Sequence, residues 1–310
     1  MSPRVPTPVL KGLQCAIALG LLAVLWHVAD GARALDLLAG VHPGWLAAAL
    51  GALTLQTLLS ALRWRLAAGQ LGIGLGRMTA LGEYYLAQIV NQALPGGVIG
   101  DAGRAVRSRA QAGLMQAAQA VVIERLAGQV ALFAVFATAA IPALALPGGL
   151  DAPRWLAGPM IALICAGVLA LGLFWRGALW PAAANTRLRQ PVIRALAAPE
   201  VRARQVWLSL GTALCNIAAF ALCARAVGCV VPVADALVLV PLILLSMLIP
   251  LTIGGWGLRE GAAAAILPVA GATPAEALAA SVAFGIAILL AAAPGLLVIR
   301  LRRPTDPMRP

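Results

Sequence analysis

Six apolar runs, at residues 13–29, 44–62, 116–141, 155–175, 206–228 and 275–299, have lengths close to the ~20 residues that a helix needs to cross a ~30 Å hydrocarbon core. They are rich in Ala, Leu and Gly and do not alternate as barrel strands do, so they read as helices. The charged fraction is only 11% and the hydrophobic fraction 62%, too little polar cover for a water-soluble surface. The first run ends at His27-Val28-Ala29-Asp30 without a small-x-small cleavage signal, and is read as a retained span. The expected fold class is all-α: a polytopic integral membrane helical bundle.

Two further segments break the pattern. Residues 78–94 carry Glu83, Tyr84, Tyr85, Gln88, Asn91 and Gln92, and residues 237–270 contain an apolar run that stops at Pro250 and resumes after Gly254-Gly255-Trp256-Gly257. Both lead into the same spacing of Pro, four residues, Gly, three residues, Arg. It runs from Pro95 through Gly100 to Arg104 and from Pro250 through Gly255 to Arg259, 155 positions later in a 310-residue chain. Paired interrupted segments at corresponding places in two halves are the sequence mark of a transporter site built from internal repeats.

Basic residues fix the expected orientation. Eighteen of the 23 Lys and Arg fall before the first span, after the second, after the first break, in residues 176–205 and in the tail, whereas the opposite loops hold only Arg33 and Arg154. All eighteen can be cytoplasmic only if the two broken segments are re-entrant hairpins entering from opposite sides. The expectation is a single membrane domain, 1–310, of two inverted repeat units, 1–141 and 155–299, joined by a basic cytoplasmic loop at 176–205. Both termini would be cytoplasmic. The net charge of +12 then belongs to membrane-facing loops, which favours lipid head groups as partners and not nucleic acid. Cys15, Cys165, Cys215, Cys223 and Cys229 show no metal-ligand spacing and read as small buried hydrophobes. No metal or other cofactor is called for.

Candidate functional residues are the polar groups that a membrane makes expensive. Tyr84, Gln88, Asn91 and Pro95 follow at spacings of 4, 3 and 4 and share one helical face, flanked by Glu83 and Gln92. Such a stripe faces protein or a wet cavity, so it serves either as interhelical glue or as a cavity wall. Asp101 and Arg104 follow directly. Glu124 and Arg125 lie ~13 Å into their span. As neighbours on a helix they point about 100° apart, so Glu124 is expected to pair with a hairpin arginine and Arg125 with an acid such as Glu83 or Glu260. Arg259 and Glu260 repeat the situation in the second hairpin, while Arg225 is read as snorkelling.

The run from Asn91 to Arg104, the pair Glu124-Arg125, the run from Pro250 to Glu260 and the pair Arg63-Trp64 resemble the signature segments of the flippase-like membrane region of lysylphosphatidylglycerol synthases, some of whose stand-alone relatives are associated with hopanoid lipids. The resemblance implies translocation of a polar-headed lipid across a bacterial cytoplasmic (inner) membrane. The synthases carry a soluble catalytic domain after this region, while here the sequence ends at Pro310. His27 and His42 offer no acyl-transfer site, and the expectation is a transporter, not an enzyme. The substrate cavity is expected between the hairpins, lined by Glu83, Tyr84, Gln88, Asn91, Asp101, Arg104, Glu124, Arg125, Arg259 and Glu260, with Pro95, Gly100, Pro250, Gly254 and Gly255 shaping the breaks. Arg104 and Arg259 would hold a lipid phosphate and be replaceable without loss of the fold, whereas Arg125 would be needed for both. The alternatives are a membrane enzyme or accessory factor of aminoacyl-phospholipid or hopanoid synthesis, with lipid-synthesis enzymes as partners, and a small-solute carrier. No G-x-x-x-x-G-K-[ST] loop occurs, so active transport would draw on a gradient or another chain.

Overall fold

The computed structural model describes residues 7–94, 97–176, 189–248, 252 and 254–301, and the described residues form an all-helical bundle without strands. In chain order the helices are α1 (Thr7–Val28), α2 (Gly31–Ala39), α3 (Pro43–Gln70), α4 (Arg77–Ala93), α5 (Ile99–Ala112), α6 (Leu114–Ala145) and α7 (Arg154–Arg176). They continue as α8 (Gln190–Ala197), α9 (Arg202–Ala226), α10 (Val233–Ser246), α11 (Leu258–Ile266), α12 (Pro274–Ala292) and α13 (Pro294–Leu301). Five described stretches are long and apolar enough to cross a membrane, and the bent pair Ala16–Val28 and Gly31–Ala39 makes a sixth if it is counted as one span.

Local chemistry explains where the elements depart from the sequence expectations. The opposite loop that holds Arg33, residues 30–43 between the first two expected spans, is largely helix. Asp30 sits in the left-handed region at φ 51°, its carboxylate accepts the Arg33 N–H at 3.2 Å, and the chain turns by 91° into α2. The last span, read as continuous over 275–299, is one apolar stretch over Pro274–Ile299, with its helix interrupted at Ala293 because Pro294 lacks the N–H that would continue it. Gly295 then packs on α4, where an added Cβ would lie 2.4 Å from the Tyr85 carbonyl oxygen. Within the basic stretch 176–205, α8 buries Val192 and Ala195 against Ala67 and Ile123; residues 177–188 lie outside the described set.

Contacts between the ends of helices set their directions. The His42 N–H donates to the Ala226 carbonyl at 2.8 Å, so the start of α3 meets the end of α9. At the opposite end, α8, which leads into α9, packs on the last turns of α3. The α4–α5 hairpin has both open ends there: Arg65 Nε donates to the Leu75 carbonyl at 2.6 Å and the Gly74 N–H to Gln111 Oε1 at 2.7 Å. The α10–α11 pair begins where α9 ends, and Cys229, just after α9, lies within electrostatic reach of Glu276 in the first turn of α12, so the two hairpins enter the bundle from opposite ends. Their tips approach each other, with Gln92 Oε1 only 2.9 Å from where a Gly254 Cβ would stand.

Aromatic residues mark the bilayer boundaries. On α7, a lipid-facing span, exposed Trp155 and Trp175 are 20 residues apart, or ~30 Å at ~1.5 Å per residue, which matches the hydrocarbon thickness. Exposed Trp45 shares the Trp155 end, where Arg225 stacks on it at 4.8 Å, so the arginine snorkels onto an interfacial ring. The cysteines are less uniform than expected: Cys223 and Cys229 are buried, Cys215 is half-buried and Cys165 faces outward, while the side chain of Cys15 lies outside the described set. In the α9–α10 connection, burial pushes the Cys229 thiol up to about 11, which keeps it protonated and inert at neutral pH.

Candidate functional site: a mid-depth cavity between two hairpin tips

A cavity of about 280 Å³ lies where the hairpin tips meet. Its walls come from both halves of the chain: Leu53 and Gln56 of α3, Tyr84, Gln88 and Asn91 of α4, Asp101 of α5, Arg125, Gln129 and Leu132 of α6, Asn216 of α9, Leu244 of α10 and Phe284 of α12. Gln92, Gly97, Met247, Leu248, Thr252, Gly254 and Gly255 close it at the two tips. Leu53 and Arg125 stand ten and eleven residues into oppositely directed helices, ~15–17 Å from their ends, which puts the cavity near the middle of the membrane.

The polar stripe read from α4 therefore faces the cavity, as its 4-and-3 spacing requires of residues on one helical face. Thr57 Oγ1 donates to Gln88 Oε1 at 3.1 Å and ties α4 to α3. Asn91 works across the tip: its Oδ1 accepts the Gly100 N–H at 2.7 Å and its Nδ2 donates to Asp101 Oδ2 at 3.2 Å. One free N–H at the start of α5, that of Gly100, is thus capped from the facing helix, and Asp101 adds a negative charge to that first turn. Pro95 and Pro250, which were expected to break the helices, lie outside the described residues.

Charged residues divide into those on the cavity and those behind it. Arg63 donates to Glu124 at 2.6 Å, Arg104 to Asp101 at 2.6 Å and to Glu124 at 3.2 Å, and Arg125 pairs with Asp101. Tyr84 Oη donates to Glu124 Oε1 at 3.2 Å. Arg104 lies between the rings of Trp64 and Tyr84, at 4.7 and 4.5 Å, and is 1% exposed. Glu124 is equally buried. The expected partnership of Glu124 with a hairpin arginine is present. The acid that holds Arg125 is Asp101, not Glu83 or Glu260, and Glu83 is taken by Arg107 Nε at 2.7 Å.

The second hairpin is closed in a comparable way. Glu260 Oε2 accepts the Gly257 N–H at 2.6 Å, and its Oε1 receives Arg259 Nη2 at 2.5 Å and Ser281 Oγ at 3.2 Å. Arg259 is buried beside Trp256 and Phe284, and fits because α12 carries Gly285, where a Cβ would stand 2.3 Å from the guanidinium. In both copies of the repeated spacing the arginine is packed inside its hairpin, on a carboxylate and between aromatic rings.

Of the residues assigned to the site from the sequence, Tyr84, Gln88, Asn91, Asp101, Arg125, Gly254 and Gly255 line the cavity. Glu83, Gly100, Arg104, Glu124, Arg259 and Glu260 do not; they are buried in the packed shell behind it. Gln56, Gln129, Asn216 and Thr252 were missed. Each is an isolated amide or hydroxyl in or beside an apolar run, and membrane depth was the one signal that could have singled them out.

A polar cavity at mid-depth, walled by two broken helix pairs from opposite ends, defines the class of this molecule among polytopic helical membrane proteins. Residues 13–295 match the lysylphosphatidylglycerol synthase TM region family, and the chain belongs to that family. No curated protein matches it.

Proposed function

We propose that this protein is a lipid transporter of the bacterial cytoplasmic membrane, moving a polar head group through the mid-depth cavity while the acyl chains remain in lipid. The observation that carries this reading is the cavity itself, polar, near the bilayer centre and closed by hairpin tips from opposite ends. Two inverted units, 1–141 and 155–299, would then exchange access to the two faces by moving one tip against the other. The cavity offers amides, a threonine, one arginine and a carboxylate already paired, a set suited to holding a head group and not to breaking a bond. The partners are membrane lipids, supplied by lipid-synthesis enzymes.

In reconstituted vesicles the protein is expected to expose inner-leaflet fluorescent phospholipid to dithionite faster than empty vesicles do, with the recovered lipid chemically unchanged. A new lipid species on incubation with donor substrates would instead establish an enzyme.

The end of the bundle that carries α8 and the open ends of α4–α5 is assigned to the cytoplasm with both termini, because the basic residues gather there. On a cysteine-free background, Ala110→Cys and Ala203→Cys should be protected from an impermeant thiol reagent in intact cells, and Ala39→Cys and Asp151→Cys should react. Labelling of Ala110→Cys from outside would overturn the orientation.

A further inference from the structure

We infer that the cavity selects a lipid whose head group joins one negative charge to hydroxyl groups, a phosphodiester bearing a polyol, over an amine-bearing head. The inference rests on the transport reading and adds to it the chemistry of the cargo.

Charge is the first ground. Arg63, Arg104 and Arg125 are joined through four ion pairs to Asp101 and Glu124, so three guanidiniums face two carboxylates and one positive charge is in excess. Arg63 and Arg104 are sealed inside, whereas the Arg125 side chain is 46% exposed and lines the cavity, so the excess is presented there. A phosphodiester oxygen suits a guanidinium held by one carboxylate with donors to spare. The other buried acids add nothing to the cavity, because Glu83 is paired with Arg107 and Glu260 with Arg259.

The acceptors are the second ground. Asp101 is the one carboxylate among the described lining residues, and both of its oxygens are taken, Oδ1 by Arg104 and Oδ2 by Asn91 and Arg125. An ammonium group would find no free carboxylate and would meet the excess positive charge. Gln129 Oε1 and Thr252 Oγ1, both on the wall, are buried without a hydrogen-bond partner. Thr252 is 3% exposed. Buried polar atoms are ordinarily satisfied, so Gln129 Oε1 calls for a ligand donor and the Thr252 hydroxyl for a donor or an acceptor. Hydroxyls do so without charge, and they can both donate to and accept from the amides of Gln56, Gln88 and Asn216.

The test uses full-length protein in vesicles with acyl-chain-labelled phosphatidylglycerol, phosphatidylmethanol, phosphatidylcholine and lysyl-phosphatidylglycerol. Phosphatidylglycerol should move at least tenfold faster than the choline and lysyl lipids, with phosphatidylmethanol, an anion without a polyol, between them. The pair Gln129→Leu and Thr252→Val should shrink the advantage of phosphatidylglycerol over phosphatidylmethanol several-fold. In parallel, detergent-extracted protein is melted with dihexanoyl phosphatidylglycerol, dihexanoyl phosphatidylcholine or glycerol 3-phosphate. Stabilisation by the first alone supports the inference even if no lipid moves, in which case transport fails and the head-group chemistry stands. Stabilisation by glycerol 3-phosphate alone would make the occupant a soluble phosphate and overturn the lipid assignment. Equal or faster movement of the choline or lysyl lipid, or neither movement nor stabilisation by any probe, overturns the inference.

Discussion

Replacing Glu124 by Gln is expected to lower the stability of the detergent-extracted protein by about 3–5 kcal/mol, because it removes one partner from a buried charge network. Glu124 receives Arg63 at 2.6 Å and Arg104 at 3.2 Å. Arg104 keeps Asp101 and its two aromatic rings after the change. Arg63 keeps no ion pair, and its Nε and Nη1 are already without hydrogen-bond partners. Its charge would stand uncompensated where Gly128 lets it pack against α6, with Nη2 only 2.9 Å from the position of a Cβ there. Adding Arg63→Met should recover part of the loss, since the pair is coupled and the double variant leaves no lone charge. Unfolding by denaturing detergent measures both. A Glu124→Gln protein as stable as the parent would show that the network does not hold the bundle.

Gly100→Ala should be nearly as damaging, and for steric reasons. A Cβ at this position would lie 2.1 Å from the Ala87 carbonyl oxygen and 2.8 Å from the Ala87 Cα, backbone atoms that cannot swing aside. The α4–α5 hairpin would have to open, breaking the cap between Asn91 Oδ1 and the Gly100 N–H and displacing Asp101, on which Arg125 depends. Overpacking of this kind costs about 1–3 kcal/mol or more, and lipid movement should fall to the level of empty vesicles. Gly51→Ala supplies the contrast: nothing lies within 4 Å of its Cβ, and inside α3 alanine is the better helix former. Its melting temperature should equal or exceed that of the parent. Normal transport by Gly100→Ala would mean that the hairpin is not closed as described.

The spans were legible because hydrophobic thickness imposes a length on any crossing helix, and the runs at 44–62, 116–141 and 155–175 fall within α3, α6 and α7. The face of α4 was legible for a similar reason: helical periodicity alone carries Tyr84, Gln88 and Asn91 to one side. The bend at Asp30 was not, since it depends on one left-handed residue and its capping bond to Arg33.

Sequence by itself determined an all-helical membrane protein with two broken segments, because membrane length, charge bias and the repeated spacing are properties of the chain read in order. Tertiary structure alone decided which polar residues face the cavity. Arg104 and Arg125 are both arginines beside apolar sequence, yet one is sealed between Trp64 and Tyr84 and the other looks into the opening. Gln56, Gln129, Asn216 and Thr252 come together there from four separate parts of the chain. Their convergence follows from how oppositely entering hairpins bring distant helices to one depth, a relation between elements that no local pattern of residues records.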